Sequence, residues 1–480
     1  MTEWKDERKN KKAVARRRLV PQMPEGYYSG DKPNPNLRAF VQKHLAERPY
    51  DPETDKYDVP AFDHAIETTK ATAIYNMHTY WSKKPHDAIR EYIRHYTKLG
   101  DLVLDPFCGS GGTALAALMD GRKAIAIDRS PAATFITKNY CTPVDVAELR
   151  AAFEVLKARV MPEIDWLYET RCDRCGGKAK TGYTVYSQVF QCPRCMEKVP
   201  LFDCPEAEGR TKAGKPKKVR ICPHCQKRGI TEEISTSSEK SEAKPVLVSY
   251  ICENGCKPAR DERRHDDPDP RKREFFEKYD LGKIKDIESK EIPYWYPKDR
   301  MMHAPEDQEC WGVKWRAGTS NFRTVDELFT RRNLWALAAI KDSILSLKNA
   351  DQNLKDAFLF SLQGILLINS RMCRAETTQT QNGTYYIPSI FKELVSINSV
   401  STKVRTISDA QAELTLDSTE FLISTEPAQV LSLPANSVDY IFTDPPYAGN
   451  VQYGELNFIW EAWLGFDTHW HDEEIGRVLS

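Results

Sequence analysis

An α/β fold, a doubly wound parallel sheet interrupted by a zinc-ribbon and helical insertion, is predicted for this 480-residue chain by three observations. The apolar run Leu102-Val103-Leu104 ends in Asp105-Pro106-Phe107-Cys108-Gly109-Ser110-Gly111-Gly112-Thr113 and passes into helical spacing from Ala114 to Met119. A second strand-like run, Val438 to Thr443, ends in Asp444-Pro445-Pro446-Tyr447. Between the two, eight cysteines stand in four closely spaced pairs, the pattern of thiolate knuckles rather than of a sheet.

Residues 1–70 read as a basic arm or extension, with eight Lys or Arg against three acids over positions 1–20. Such a run either neutralises phosphates or stays solvated, and both readings stand. Residues 71–145 carry the first half of the sheet. Tyr75 to His86 leads into an amphipathic helix, Asp87 to Tyr96. After Leu104 the glycines let backbone approach a ligand, and the helix start offers free N–H groups. Gly121 to Asp128 reads as a second strand, ending in a carboxylate about 20 residues beyond the turn, where doubly wound folds hold a ribose diol. Asp128 also suits a helix N-cap, with Pro131 at an early helical position.

Residues 146–291 form the zinc-ribbon insert and a charged linker. Cys172/Cys175 and Cys192/Cys195 are separated by 16 residues and predict one ribbon; Cys222/Cys225 and Cys252/Cys256 predict a second, with Cys204 and His224 left over. Two structural zinc ions are therefore expected, closed and non-catalytic. Cys108, Cys141, Cys310 and Cys373 read as isolated buried thiols. Arg210, Lys212, Lys215, Lys217, Lys218 and Arg220 stand in a stretch without acids and suit phosphate contact or a solvated segment.

Residues 292–418 read as a helical, target-recognition region, with helices from Val325 to about Leu347 and from Leu354 to about Met372. Arg331-Arg332-Asn333 interrupts the first and is a candidate phosphate contact. The aromatics of Ile292 to Pro297 and Trp311 to Trp315 read as packing, and 374–418, rich in Thr, Gln and Ser, as mobile loops. Residues 419–480 return to the sheet.

Composition bounds the rest. With 69 basic and 69 acidic residues, no global charge draws the chain to nucleic acid, so any basic contacts must lie in patches. No stretch reaches the ~20 apolar residues of a membrane span and the polar start is no signal peptide, so the chain reads as cytoplasmic, without disulfides.

The Asp444–Tyr447 tetrapeptide after a strand, with the Asp105–Thr113 turn in the same chain, resembles the S-adenosylmethionine-dependent DNA amino-methyltransferases of prokaryotes. That resemblance implies a Rossmann-like methyltransferase sheet with S-adenosylmethionine held by Ser82, Lys83, Asp105, Phe107, Gly109, Ser110, Gly111, Thr113 and Asp128. It gives the target amine to the Asp444 carboxylate and the Pro445 carbonyl, with Pro446 stiffening the backbone and Tyr447 stacking on a base flipped from double-stranded DNA. Adenine N6 is favoured over cytosine N4, in a restriction-modification or defence setting. An RNA guanine amino-methyltransferase and a non-catalytic DNA-binding or assembly subunit are the alternatives. Only 36 residues follow Asp444, fewer than the family's remaining strands need. A missing C-terminal segment or a second polypeptide completing the sheet is expected from that comparison.

Overall fold

The computed structural model describes residues 30, 32–53, 55, 57–210, 214–235, 240–301, 322–381, 383–446, 451 and 453–466. The basic run over 1–20, Lys212, Cys310, Trp311 to Trp315 and Tyr447 lie outside them.

In chain order, helix α1 (Leu37–Glu47) and α2 (His86–Tyr96) precede strand β1 (Leu102–Asp105), α3 (Gly112–Met119), β2 (Lys123–Asp128), α4 (Pro131–Cys141) and α5 (Val146–Leu167). The insert contributes β3 (Glu169–Arg171), β4 (Lys178–Gln191), β5 (Lys198–Pro200), β6 (Glu206–Arg210), β7 (Pro216–Arg220), β8 (Lys240–Cys252) and β9 (Arg260–Arg264). Then come α6 (Arg331–Leu345), α7 (Gln352–Ile365), β10 (Ile390–Leu394), α8 (Ser396–Glu413), β11 (Phe421–Thr425), β12 (Tyr440–Ile441) and α9 (Tyr453–Leu464).

β1, β2, β11 and β12 form a parallel sheet in the order β11-β2-β1-β12. The chain thus steps from β1 outward to β2 and β11, then crosses to the other side of β1 for β12. In open parallel sheets such a reversal opens a crevice beyond the carboxyl ends of the two strands that flank it.

Side-chain alternation divides the sheet's faces. Leu102, Leu104, Ile125, Ile127 and Leu422 pack with Leu37 and Val41 of α1, whereas Val103, Ala124, Ala126, Phe421 and Ile423 belong to the main core with α3 and α4. So the segment expected to be an arm over 1–70 supplies part of the core from Leu37 onward. It is pinned there: His44 Nε2 lies 2.9 Å from Asp439 Oδ2, which also accepts the Leu102 N–H at 2.7 Å. Asn34 Nδ2 donates to the Ile423 carbonyl at 2.7 Å.

α4 is buried at every position, which its Ala, Thr and aromatic residues allow because it is clasped between the sheet, α7 and α9. Lys138 in it pairs with Asp356 of α7, both side chains 1% exposed. Losing one partner alone would strand a buried charge, at about 3–5 kcal/mol. On the far side of the sheet β12 pairs with β1 only, among the described residues, and Ile441 is 56% exposed.

The long antiparallel pair β4/β8 is the spine of the insert, extended by β9 on one edge and by β10, from far along the chain, on the other. β10 brings Glu393 to Arg332, whose Nε donates at 2.7 Å; both are buried. Arg331-Arg332-Asn333 is the first turn of α6, capped by Thr330, so Arg332 is a core ion-pair partner and not a phosphate contact. The expectation of mobile loops over 374–418 is also corrected. Ile397, Val400, Val404, Ile407 and Ala410 repeat at three- and four-residue steps, all buried, on an 18-residue helix. Many of its polar residues lie on the other face, and they mask that spacing in a count of composition, although Ser396, Ser408 and Gln411 are buried too. No described helix is long and apolar enough to cross a membrane.

Candidate active site and metal centres

A cavity of about 420 Å³ opens at the β1/β12 reversal and takes its walls from both motifs. Ser82, Lys83, Asp105, Phe107, Gly109, Ser110, Thr113 and Asp128 line it, and so do Asp444 and Pro446. Pro445 is not in the wall. Gly111 lies behind it, against Thr137.

The turn after β1 is held by its own backbone. Asp105 Oδ1 accepts the Phe107 N–H at 3.0 Å, and the Gly111 N–H bonds the Cys108 carbonyl at 2.7 Å. Asp128, at the tip of β2, accepts the Gly109 N–H at 2.9 Å through one oxygen and the Ser130 N–H at 2.9 Å through the other. The N-cap of α4 is Ser130, whose hydroxyl accepts the Ala133 N–H.

Two glycines are required by geometry. Gly109 (φ +51°) would place a Cβ 2.9 Å from the Tyr80 ring, and Gly111 (φ +78°) one 2.6 Å from Thr137 Cγ2. At Gly111 a methyl group meets both the left-handed backbone, at about 1–2 kcal/mol, and overpacking, at about 1–3 kcal/mol. Gly111→Ala is therefore expected to lower the urea midpoint markedly, read by circular dichroism. An unchanged midpoint would mean that α4 yields freely.

Burial pushes the carboxyls of Asp105 and Asp128 up to about 6. Hydrogen bonds pull them down, while Asp128 raises Asp105 and Glu461 raises Asp128. Below pH about 4 both are neutral whether folded or unfolded, and that stabilising neutrality is lost as pH rises through about 6. Above pH 6 the cavity therefore holds buried negative charge, a favourable environment for a cation or for hydroxyl donors.

Tyr80 to Lys84 form one wall of the cavity. Lys83 turns inward, donating to the carbonyls of Tyr75 (2.5 Å) and His78 (3.3 Å) and to the Tyr140 hydroxyl (2.6 Å). Burial, with Lys403 nearby, lowers it to about 7. Its ammonium braces this segment. Lys84 turns the other way, to Asp444 Oδ2 at 2.8 Å. Ser82, at φ +55°, hydrogen-bonds the Tyr453 hydroxyl.

Several wall residues escape motif reading: Lys84, Arg129, the loop Pro427-Ala428-Gln429 after β11, and Tyr453 and Asn457 of α9. Asn457 Nδ2 donates to Ser130 Oγ at 3.1 Å and to the Tyr80 hydroxyl at 3.3 Å. Glu461 accepts the Ser130 hydroxyl at 2.6 Å. The available signal was Glu455, Asn457 and Glu461 inside an otherwise apolar helix, each no more than 1% exposed. Buried polar groups of this kind need partners, and those of Asn457 and Glu461, Ser130 and Tyr80, border the cavity.

The eight predicted cysteine ligands come together, but not as two consecutive ribbons. Cys172, Cys175, Cys252 and Cys256 form one group; Cys192, Cys195, Cys222 and Cys225 form the other. The physical reason is β4, whose 14 extended residues span roughly 46 Å. It carries the Cys172 and Cys192 knuckles to opposite ends of the sheet, and β8 returns antiparallel to close the first. Cys172 and Cys256 sulfurs lie 3.9 Å apart, Cys175 and Cys252 3.7 Å, Cys192 and Cys225 3.8 Å, and Cys195 and Cys222 3.7 Å. Four sulfurs at about 2.3 Å around one zinc are about 3.8 Å apart, so both donor sets fit a tetrahedral thiophilic ion.

Neither Cys204 nor His224 belongs to these groups; Cys204 donates to the Pro200 carbonyl. Around the first group the Tyr250 hydroxyl donates to Asp173 at 2.8 Å, and buried Arg263 joins Asp173 (3.5 Å) to Asp280 (2.6 Å). Cys108, Cys141 and Cys373 are buried free thiols. The basic stretch is the hairpin β6/β7, where Lys218 and Arg220 pair with Glu206 and Lys217 with Glu233. Much of its charge is thereby met within the protein.

Comparison with known proteins finds that the DNA methylase family profile N6_N4_Mtase matches residues 5–139, which include every candidate residue from Ser82 to Asp128. A type II methyltransferase, M.MjaII of Methanocaldococcus jannaschii, is 28% identical over 90 residues, 19% of this chain and 17% of that protein. The aligned part is thus less than a fifth of the relative's length. No solved structure matches the chain significantly.

Proposed function

We propose that the chain is an S-adenosylmethionine-dependent DNA methyltransferase acting on an exocyclic amino group, adenine N6 in preference to cytosine N4. The observation that carries this reading is the single cavity shared by the Asp105–Thr113 turn and Asp444. The DNA methylase match over the cofactor half supports it independently.

S-adenosylmethionine fits the donor set: two buried carboxylates, Asp105 and Asp128, border the cavity, and at Gly109 the backbone approaches the cavity-lining Tyr80 ring too closely for a side chain. When bound, it supplies an electrophilic methyl group on a sulfonium. The residues then divide by position. Asp128 at the β2 tip accepts ribose hydroxyls. Asp105 and the Phe107–Ser110 backbone would hold its cationic methionine end, beside the segment that Lys83 braces. Asp444 accepts an N–H of the target amine, whose lone pair is otherwise delocalised into the ring. That would orient the nitrogen in line with the methyl group, whose bond to sulfur would break to leave a neutral thioether as the bond to nitrogen forms; the surplus proton of the amine would pass to solvent, with no covalent enzyme intermediate. The family resemblance would give the second N–H to the Pro445 carbonyl, which lies outside the cavity wall, and the flipped base to the ring of Tyr447, which lies outside the described residues. Zinc in the two thiolate sets acts structurally, holding the ends of β4/β8.

Incubation with labelled cofactor and duplex DNA, followed by nucleoside mass spectrometry, tests the reading: N6-methyladenine is expected. N4-methylcytosine would move the target, and label on tRNA alone would reject DNA. The pH dependence is a second expected outcome. Cofactor affinity, measured by calorimetry from pH 5 to 8, should be level above pH about 6. It should fall roughly tenfold per unit below that for each acceptor carboxylate protonated. A flat profile would show that neither Asp105 nor Asp128 binds in its ionised form.

A further inference from the structure

Lys84 links the two motifs of the cleft directly: its Nζ lies 2.8 Å from Asp444 Oδ2, the two side chains being 46% and 37% exposed. Its backbone is fixed just before Pro85, which caps the start of α2, while neighbouring Lys83 is committed to interior carbonyls. Two consecutive lysines thus divide the work, one bracing the segment and one reaching across the mouth.

An ammonium presents N–H donors to a carboxylate as a target amine would. Resting on the proposed function, we infer that Lys84 is an exchangeable positioning residue. Before the target amine arrives it holds the Asp444 carboxylate; on its arrival Lys84 yields that oxygen and pairs with a phosphate of the strand carrying the extruded nucleotide. Three features support this. A half-exposed pair of this kind contributes little to stability and can be exchanged. A lysine head on a fixed backbone can move several ångströms through its four methylenes alone. And a flipped nucleotide brings its own phosphates to the cavity mouth, where phosphate contacts set register.

The test uses the full chain in two measurements, neither depending on turnover. Lysine acetylation by a short pulse of acetylating reagent, read by peptide mass spectrometry, should be several-fold slower at Lys84 in the wild type than in Asp444→Asn, with Lys83 unaffected. Fluorescence anisotropy on duplex DNA across a salt series should give Lys84→Ala weaker binding, with the log–log salt slope reduced by about one. Lys84→Arg should restore the DNA affinity and the salt slope, and cofactor affinity should be the same in all variants. Equal acetylation in wild type and Asp444→Asn, or an unaltered salt slope in Lys84→Ala, overturns the inference. A wild-type protein that transfers no methyl group while both expected results hold would overturn the proposed function and leave the exchange standing.

Discussion

Asp444→Ala is expected to reduce methyl transfer to duplex DNA by on the order of 10²–10³-fold, the usual loss when one oriented polar group at a reacting centre is removed. S-adenosylmethionine affinity should be nearly unchanged, because the carboxylates assigned to the cofactor sit on β1 and β2 while Asp444 follows β12. The side chain is 37% exposed, so its loss should change stability by no more than about 0.5 kcal/mol. Asp444→Asn keeps an acceptor oxygen and should fall between. Single-turnover kinetics with calorimetry on the same preparations separates the steps. A parallel loss of cofactor affinity would place Asp444 at the donor end and reverse the assignment.

The second large effect concerns the cysteines. Structural thiolate zinc sites contribute about 10–16 kcal/mol to the folding of small modules, and the insert's metal-bearing ends have only small cores of their own. Strong chelation at neutral pH is therefore expected to unfold the ends of β4/β8 while the parallel sheet persists. The grouping makes a sharper prediction. Cys172→Ser with Cys252→Ser should remove one zinc per chain and leave the other, whereas Cys172→Ser with Cys192→Ser should impair both. Native mass spectrometry counts the ions directly. If Cys172→Ser with Cys192→Ser removed a single ion, the consecutive-ribbon pairing would be right after all.

The parts of this protein that were legible in sequence are those whose meaning is local. The turn from Asp105 to Thr113 could be read because strand, glycines and helix are contiguous, and the positive φ values of Gly109 and Gly111 demand glycine. Each Cys-x2-Cys or Cys-x3-Cys knuckle was likewise visible from its own loop. What was not legible depends on which distant segments meet. Polar residues hid the buried stripe of α8, and α1 looked like an arm because its apolar positions are few and its partner, β11, is almost 400 residues away.

By itself, then, the sequence determined the chemical inventory: a ligand-type turn, an acidic tetrapeptide at a strand end, and eight thiolates in four knuckles. Only the tertiary structure decided how these are shared out. The sheet order set the turn and Asp444 with Pro446 at adjacent strand tips in one cavity. The reach of a 14-residue strand joined the outer knuckles to each other and the inner ones likewise. The crossover of the chain brought α9 and Lys84 into the same walls. The physical reason is that spacing along a chain constrains neighbours within a turn or two, whereas strand length and sheet order fix who meets across hundreds of residues.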